Sequence, residues 1–577
     1  MFGKKTRKPM VLLVAAAIFL LVAMNVYFIM SYSSGEIVAD HWRHFDEILI
    51  PVEEGEASFW VFWANHHPNP ILHWYEILIS GPIFNYDLKY DALFSLSLHA
   101  LIFFLLWRTV SNVSGNIHPL LFGLGVVFSG FYWFSLITPH TFLWTLISLQ
   151  SLGYIFGILI FVSLLIFSQS EVLNLKGTLI VAALCCLSVL LNFDYGVLFF
   201  GSTLGAMWLH IFWNRDWKLA QNAILLMIFV GFFAFIIRTF LIPESEGSNL
   251  NVVESLKSFP QYFIGLFTAI ASGVIGENIY RPNFIADKDG REILKILIMC
   301  FVCLIYFLAA MLALKMKRKS LPFLALLIFP ALFSLAVFIS REPANFDVYL
   351  SVPRYATNFK LGWLAAILIF LLNWQIFSKN KLSKCAFFAV VFIGILLWSA
   401  GTRETFTIAR YWEASSERNE VLIYMTATES DSKIKLGPNI VGSNANYQNT
   451  LDYLQKNKLS IFSDQYDSGE LLKIQKSLKS SLAQDKRTEF DYRLNASRSA
   501  DRYSQRCVKT QSIPNQAFRL KLENVDNKNV SVSVPTGSSI DRFSVLPGTN
   551  IFYGFANSNI IKICVFGAGS IQLEDEL

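Results

Sequence analysis

Runs of about 20 apolar residues, each long enough to cross ~30 Å of hydrocarbon, recur along this chain and constrain it more than any other feature. They fall at 10–31, 90–108, 118–137, 152–168, 176–192, 195–213, 220–242, 293–314, 321–340, 358–377 and 385–401. Inside hydrocarbon a backbone must satisfy its own N–H and C=O groups, so such runs fold as helices. Charged residues make up 16% of the chain and the mean hydropathy is +0.46, whereas a soluble chain carries about 25% charged residues. The expected class is a membrane α-helical protein of about eleven spans, with twelve as the alternative.

The net charge of +6 does not point to nucleic acid, because the basic residues sit in short loops between apolar runs. "KKTRK" begins the chain like a signal peptide. The run behind it is too long for an h-region and no A-x-A-like site follows, so it reads as a retained first helix. "GKKTRK", "NRDWK", "KMKRKS" and "SKNKLSK" fall on one side, which the positive-inside rule assigns to the cytoplasm. The amino end is then expected inside and the long polar tail outside. Residues 259–278 are nearly apolar enough to span, yet a crossing there would put "KMKRKS" outside. They read as re-entrant or interfacial, packed against protein.

The division expected is 1–401, membrane, and 402–577, an outward α+β domain. In that domain 402–426 and 446–483 read as helices, and 488–577 as short strands of a β-sandwich-like unit. Cys507 and Cys564 are the only cysteines in the tail, and a disulfide between them suits an oxidising compartment.

The first outer loop, 32–89, is the richest in chemistry. It opens with "ADHWRHFDEIL", directly after a charge-free stretch from Pro9 to Gly35. On a helical wheel Val38, Trp42, Phe45 and Leu49 share one face, and Asp40, Arg43, His44 and Glu47 the other. That pattern predicts an interfacial amphipathic helix with its aromatics among lipid headgroups. Its polar stripe either meets water or lines an active site. The loop continues with "FWANHHPNPILHWYEIL", more chemistry than a simple connector needs. Metal binding by His66, His67 and His73 is disfavoured, since adjacent histidines rarely ligate one ion and no i, i+4 pair occurs.

Further along, "VPRYATNF" sets Arg354 and Tyr355 before a late span. An arginine there either snorkels or holds a phosphate in two-point fashion. Arg238 lies about one turn inside the outer end of its helix, where arginines either snorkel or mark substrate paths. His140, Trp144, Gln150 and Asp194 read as packing residues.

Asp40 after the first span, the loop "W…NHHPNPILHW", the outer "RY" and the polar tail together resemble the GT-C superfamily of polytopic glycosyltransferases. The bacterial members that take sugars from polyprenyl phosphate are the nearest in pattern. This chain departs in having His67-Pro68-Asn69 where an arginine is common, and no strict Asp-Asp or Asp-Glu dyad after the first span. The resemblance implies a GT-C-like membrane fold and inverting transfer from a polyprenyl-phosphate sugar donor to a glycan or lipid acceptor of the cell envelope. It implies Asp40 as base with Glu47 in reserve. Arg354, Tyr355, Arg43 and Arg238 would serve the donor phosphate, and His66, His67, His44 and Trp63 would position sugar or acceptor. No cofactor is certain; a divalent cation, Mg or Mn, is the candidate. A bacterial inner membrane, with the tail periplasmic, is the location the resemblance implies, and membrane lipids are partners. The rivals are an O-antigen polymerase or ligase, a transporter or flippase, and a non-catalytic scaffold.

Overall fold

The computed structural model describes residues 4–33, 35–37, 40–57, 69–113, 118–136, 151–168, 175–242, 288–340, 353–375 and 447–463, the tail strands given below, and isolated positions between 262 and 270 and between 395 and 427. The protein is a largely helical membrane protein. Five described helices are long and apolar enough to cross a membrane, namely Val11–Tyr32, Leu88–Ser111, Phe193–Asn214, Trp217–Phe240 and Leu321–Phe338. Five shorter apolar helices accompany them. The eleventh predicted run, 385–401, lies almost wholly outside the described residues.

The chain divides into two compact units that do not follow the 401/402 boundary. The first comprises Met1–Phe28, Trp60–Leu72 and Leu93–Thr405; the second comprises Ile29–Phe59, His73–Ala92 and Phe406–Leu577.

The first unit is built from α1 (Lys4–Tyr32), α6 (Leu88–Val113), α7 (Pro119–Trp133), α8 (Ser151–Ser168), α9 (Leu175–Leu191), α10 (Phe193–Asn214), α11 (Trp217–Phe240), α12 (Lys288–Lys315), α13 (Leu321–Ser340) and α14 (Pro353–Leu372), the first two contributing part of their length. Between α9 and α10 the chain reverses over Asn192, whose side chain accepts from the Tyr195 N–H at 3.2 Å. A Cβ at Gly196 would fall 2.4 Å from the Val189 backbone N, so only glycine permits this close turn. Tyr262, Leu266 and Ile270, spaced by one helical turn, pack with Phe333, Phe359 and Trp363. Trp363 donates to the Ile270 carbonyl at 2.9 Å, and Tyr262 to that of Ala331 at 2.9 Å. These positions of the 259–278 segment are therefore held by protein.

Three buried polar side chains of this unit donate to carbonyls at and just beyond the end of α7, where a helix leaves its carbonyls unpaired. Asn25 donates to the Phe134 carbonyl at 2.9 Å, and Lys360 to those of Ser135 at 3.0 Å and Trp133 at 3.4 Å. Thr405 donates to the Leu136 carbonyl. The ammonium of Lys360 also complements the negative end of the helix dipole.

The second unit holds the first loop and the tail. Its helical parts are α2 (Asp40–His44), a π turn (Phe45–Leu49), α3 (Ile50–Glu53), α4 (Pro70–Tyr75, which enters it at His73), a second π turn (Glu76–Ser80), α5 (Gly81–Phe84) and α15 (Tyr447–Lys456). Ile37, Trp42, Phe45, Leu49, Ile50, Tyr86 and Leu88 from the loop form one core with Ile423, Leu451, Leu454 and Ile461 from the tail. The predicted lipid-facing edge is thus a protein core: Trp42 and Leu49 are 0% exposed and Phe45 1%. Burying this stripe against α15 removes apolar area from water more completely than an interfacial position could. The π turn adds Ile48 to the buried set, because its wider turn shifts the faces after His44 away from the 100° wheel.

Polar contacts complete the docking of α15. Thr450 donates to the Trp42 carbonyl at 3.2 Å, Asn449 to Asp46 at 3.1 Å, and Tyr453 to Glu53. Within the predicted 446–483 helix the described α-helix stops at Lys456, and 464–483 lies outside the described residues. Lys458 turns left-handed at φ 53°, the Leu459 N–H reaches the Leu454 carbonyl at 2.9 Å, and the Lys458 N–H reaches that of Gln455 at 3.3 Å. This is a Schellman stop, with Leu454 and Leu459 both against the core.

Among the described residues eight strands follow: β1 (Tyr492–Leu494), β2 (Gln505–Gln511), β3 (Gln516–Asn524), β4 (Val530–Thr536), β5 (Ser539–Val545), β6 (Gly548–Ala556), β7 (Ile560–Phe566) and β8 (Ile571–Glu576). They form two antiparallel sheets of order β1-β8-β3-β6 and β2-β7-β4-β5. The β2–β7 register sets Cys507 opposite Cys564. Directly opposed residues of antiparallel strands have Cα atoms about 4.5–5.5 Å apart, within the ~4.4–6.8 Å that a disulfide spans. Thiol labelling of the unfolded, unreduced protein is therefore expected to miss both cysteines and to reach them after reduction. Labelling of both before reduction would refute the bridge.

Candidate functional site

Two loop segments meet at a buried polar centre within the second unit. α2 ends on His44, directly before the first π turn. α4 ends with His73 and Tyr75, and Glu76 begins the second π turn. Such turns re-aim the side chains beside them and recur at functional sites. The His73-x-x-Glu76 spacing sets both groups on one helical face.

His44 Nε2 and His73 Nδ1 lie 2.6 Å apart, one donating and the other accepting, with the rings stacked at 4.7 Å. His44 Nδ1 lies 2.7 Å from Glu76 Oε2 without forming an aligned hydrogen bond. His41 Nε2 stands 3.9 Å from Glu76 Oε1. All four side chains are buried, between 1% and 3% exposed. Tyr75 and Ser80 donate to the two oxygens of Asp91 at 2.6 and 2.8 Å.

Burial sets the charge states. It lowers the His44 pKa to about 4, partly opposed by the charge of Glu47. It lowers that of His73 well below the ordinary value, and charge on His44 adds to this. Burial raises Glu76 well above the usual carboxylate range. Tyr75 is raised by burial first and then by the charge of Asp91. Two neutral imidazoles beside a reluctant acid can relay a proton or ligate a cation. One ligand atom each from His44, His73 and Glu76 lies within 4.8 Å of the other two.

Of the residues singled out in the sequence whose side chains are described, His44 lies in this centre. Asp40 is the first residue of α2, one turn ahead of His44; its side chain lies outside the described residues. Glu47 is exposed and pairs with Arg43 at 2.8 Å. Trp63, His66 and His67 lie outside the described residues. Arg354 and Tyr355 fall in the first turn of α14, with side chains outside the described set. Arg238 is exposed and donates to the Ile242 carbonyl at 3.3 Å, closing its own helix end. Sequence reasoning missed Glu76 as a partner of His44, and Lys360 altogether. The first needs a contact across 32 positions; the second was legible as a charge within an apolar run.

Comparison with protein-family models, curated proteins and solved structures returns no match.

Proposed function

We propose that this protein is a membrane glycosyltransferase that moves a sugar from a polyprenyl-phosphate carrier to an envelope glycan or lipid. The observation that supports it most is the folding of the first loop. Rather than linking two spans, the loop buries Glu36, His41, His44, His73 and Glu76, and is covered by a tail helix, one turn beyond Asp40. In the reaction an acceptor hydroxyl oxygen bonds to the anomeric carbon as the carbon–oxygen bond to phosphate breaks. Asp40 takes the hydroxyl proton, and the bonding pair leaves on the polyprenyl phosphate, inverting the centre. Arg354 and Tyr355 keep the phosphate role that the resemblance implies. Their place in the first turn of α14 adds uncommitted backbone N–H groups that favour an anion.

We further infer eleven crossings, a face-to-face packing of the two sheets as a β-sandwich-like cap, and an outward tail at a bacterial inner membrane. The Cys507–Cys564 register and the loop charges support that orientation.

Arg354→Ala should raise the donor KM by about tenfold or more, the cost of one charge-assisted contact, while Arg354→Lys retains part of it. Equal effects of the two variants would contradict bidentate phosphate binding. A transporter is the second reading, favoured by Lys360 being buried within a span. Flux of intact lipid-linked sugar across vesicles, without cleavage of the sugar–phosphate bond, would select it.

A further inference from the structure

We propose that His44, His73 and Glu76 form a binding site for one divalent transition-metal ion of the zinc type, which ties the two halves of the first loop together. The site stands on geometry. Three donors from two chain segments converge within ligand-to-ligand distance, and each is at most 3% exposed. Zinc holds nitrogen and oxygen ligands at ~2.0–2.2 Å, so donors this close need only small rotations to share an ion.

A second observation points to a ligand. Among the described residues, His73 Nε2 and Glu76 Oε2 have no hydrogen-bond partner although both are buried. His44 Nδ1 sits against Glu76 Oε2 at 2.7 Å in a contact that no aligned hydrogen bond accounts for. Buried polar atoms are rarely left unmatched, because each then loses its hydration with nothing in exchange. A cation would satisfy them together.

The donor set also selects the ion. Two imidazoles and one carboxylate suit zinc, or cobalt in its place; Mg and Mn prefer all-oxygen shells. Three protein ligands leave a fourth position, and His41, 3.9 Å from Glu76 Oε1, can hold that carboxylate in place from outside. The backbone supports the same reading: His44 immediately precedes one π turn and Glu76 opens the other, so both irregular turns abut a ligand.

The inference does not require sugar transfer, and its test needs no donor. Full-length protein purified in detergent is loaded with zinc chloride, dialysed against a weak chelator and assayed by inductively coupled plasma mass spectrometry. Wild type should retain about one zinc per chain, and His73→Ala and the isosteric Glu76→Gln about tenfold less, as expected when a ligand is removed. Because a variant can misfold, wild type is also titrated with cobalt chloride, which should yield the visible absorption of a low-coordinate Co(II) site. Wild type holding no zinc above buffer, or variants and wild type holding it equally, would overturn the site. So would a cobalt spectrum of the fully hydrated ion. A zinc-binding protein that cleaves no lipid-linked sugar would refute the functional reading and leave this site intact.

Discussion

Asp40→Asn is expected to lower sugar transfer by about 100-fold or more, the range that a positioned general base contributes. Asparagine keeps the shape of aspartate but cannot take a proton, so binding should survive while kcat falls. The substitution is isosteric and leaves the backbone at the start of α2 as it is. Folding should therefore be intact, checked by elution volume in detergent. Glu47→Gln serves as the contrast. Glu47 is exposed and pairs with Arg43 four positions before it, a contact worth at most about 0.5 kcal/mol. That variant should stay near wild type. Equal rates for wild type and Asp40→Asn would remove the base assignment, and a large loss in Glu47→Gln alone would move it.

Trp42→Ala should be the most destabilising single change in the second unit. The indole is fully buried among Phe45, Leu49, Leu451 and Leu454, and its N–H donates to the Ile37 carbonyl at 2.9 Å. Truncating an aromatic in such a core costs about 3–5 kcal/mol through lost transfer energy and an unfilled cavity. The apparent midpoint of thermal unfolding in detergent should fall by several degrees, about the scale that such a loss sets. Phe104→Ala is the comparison, since Phe104 is 61% exposed on a span and faces the surroundings. Its midpoint should barely move. If instead Trp42→Ala left the midpoint unchanged but weakened membrane attachment, the helix would be interfacial and the core described above would be wrong.

Those two residues also show what the sequence made legible. The apolar runs up to residue 377 are carried by helices, because hydrophobicity alone dictates their structure in lipid. The amphipathic stripe Trp42–Phe45–Leu49 was readable as a face, yet what covers it was not. Its partners Leu451 and Leu454 lie some four hundred positions away, and periodicity says nothing about whether an apolar face meets lipid or protein. The π turns were invisible for a related reason. One extra residue per turn changes which side chains align without changing composition. For the polar centre, the His73–Glu76 spacing was visible locally, while His44 joins it only through tertiary folding. The tail strands were legible from alternation and turn residues, and the β2–β7 register then brought the two tail cysteines opposite each other.

The measurement that bears most directly on sugar transfer is mass spectrometry of envelope glycans from cells with and without this protein. Transfer from a polyprenyl-phosphate donor predicts one glycan or lipid species lighter by a single sugar residue in its absence. The mass should be restored by wild type and not by Asp40→Asn. Identical glycan masses in all three cells, with the lipid-linked donor neither accumulating nor missing, would contradict the account.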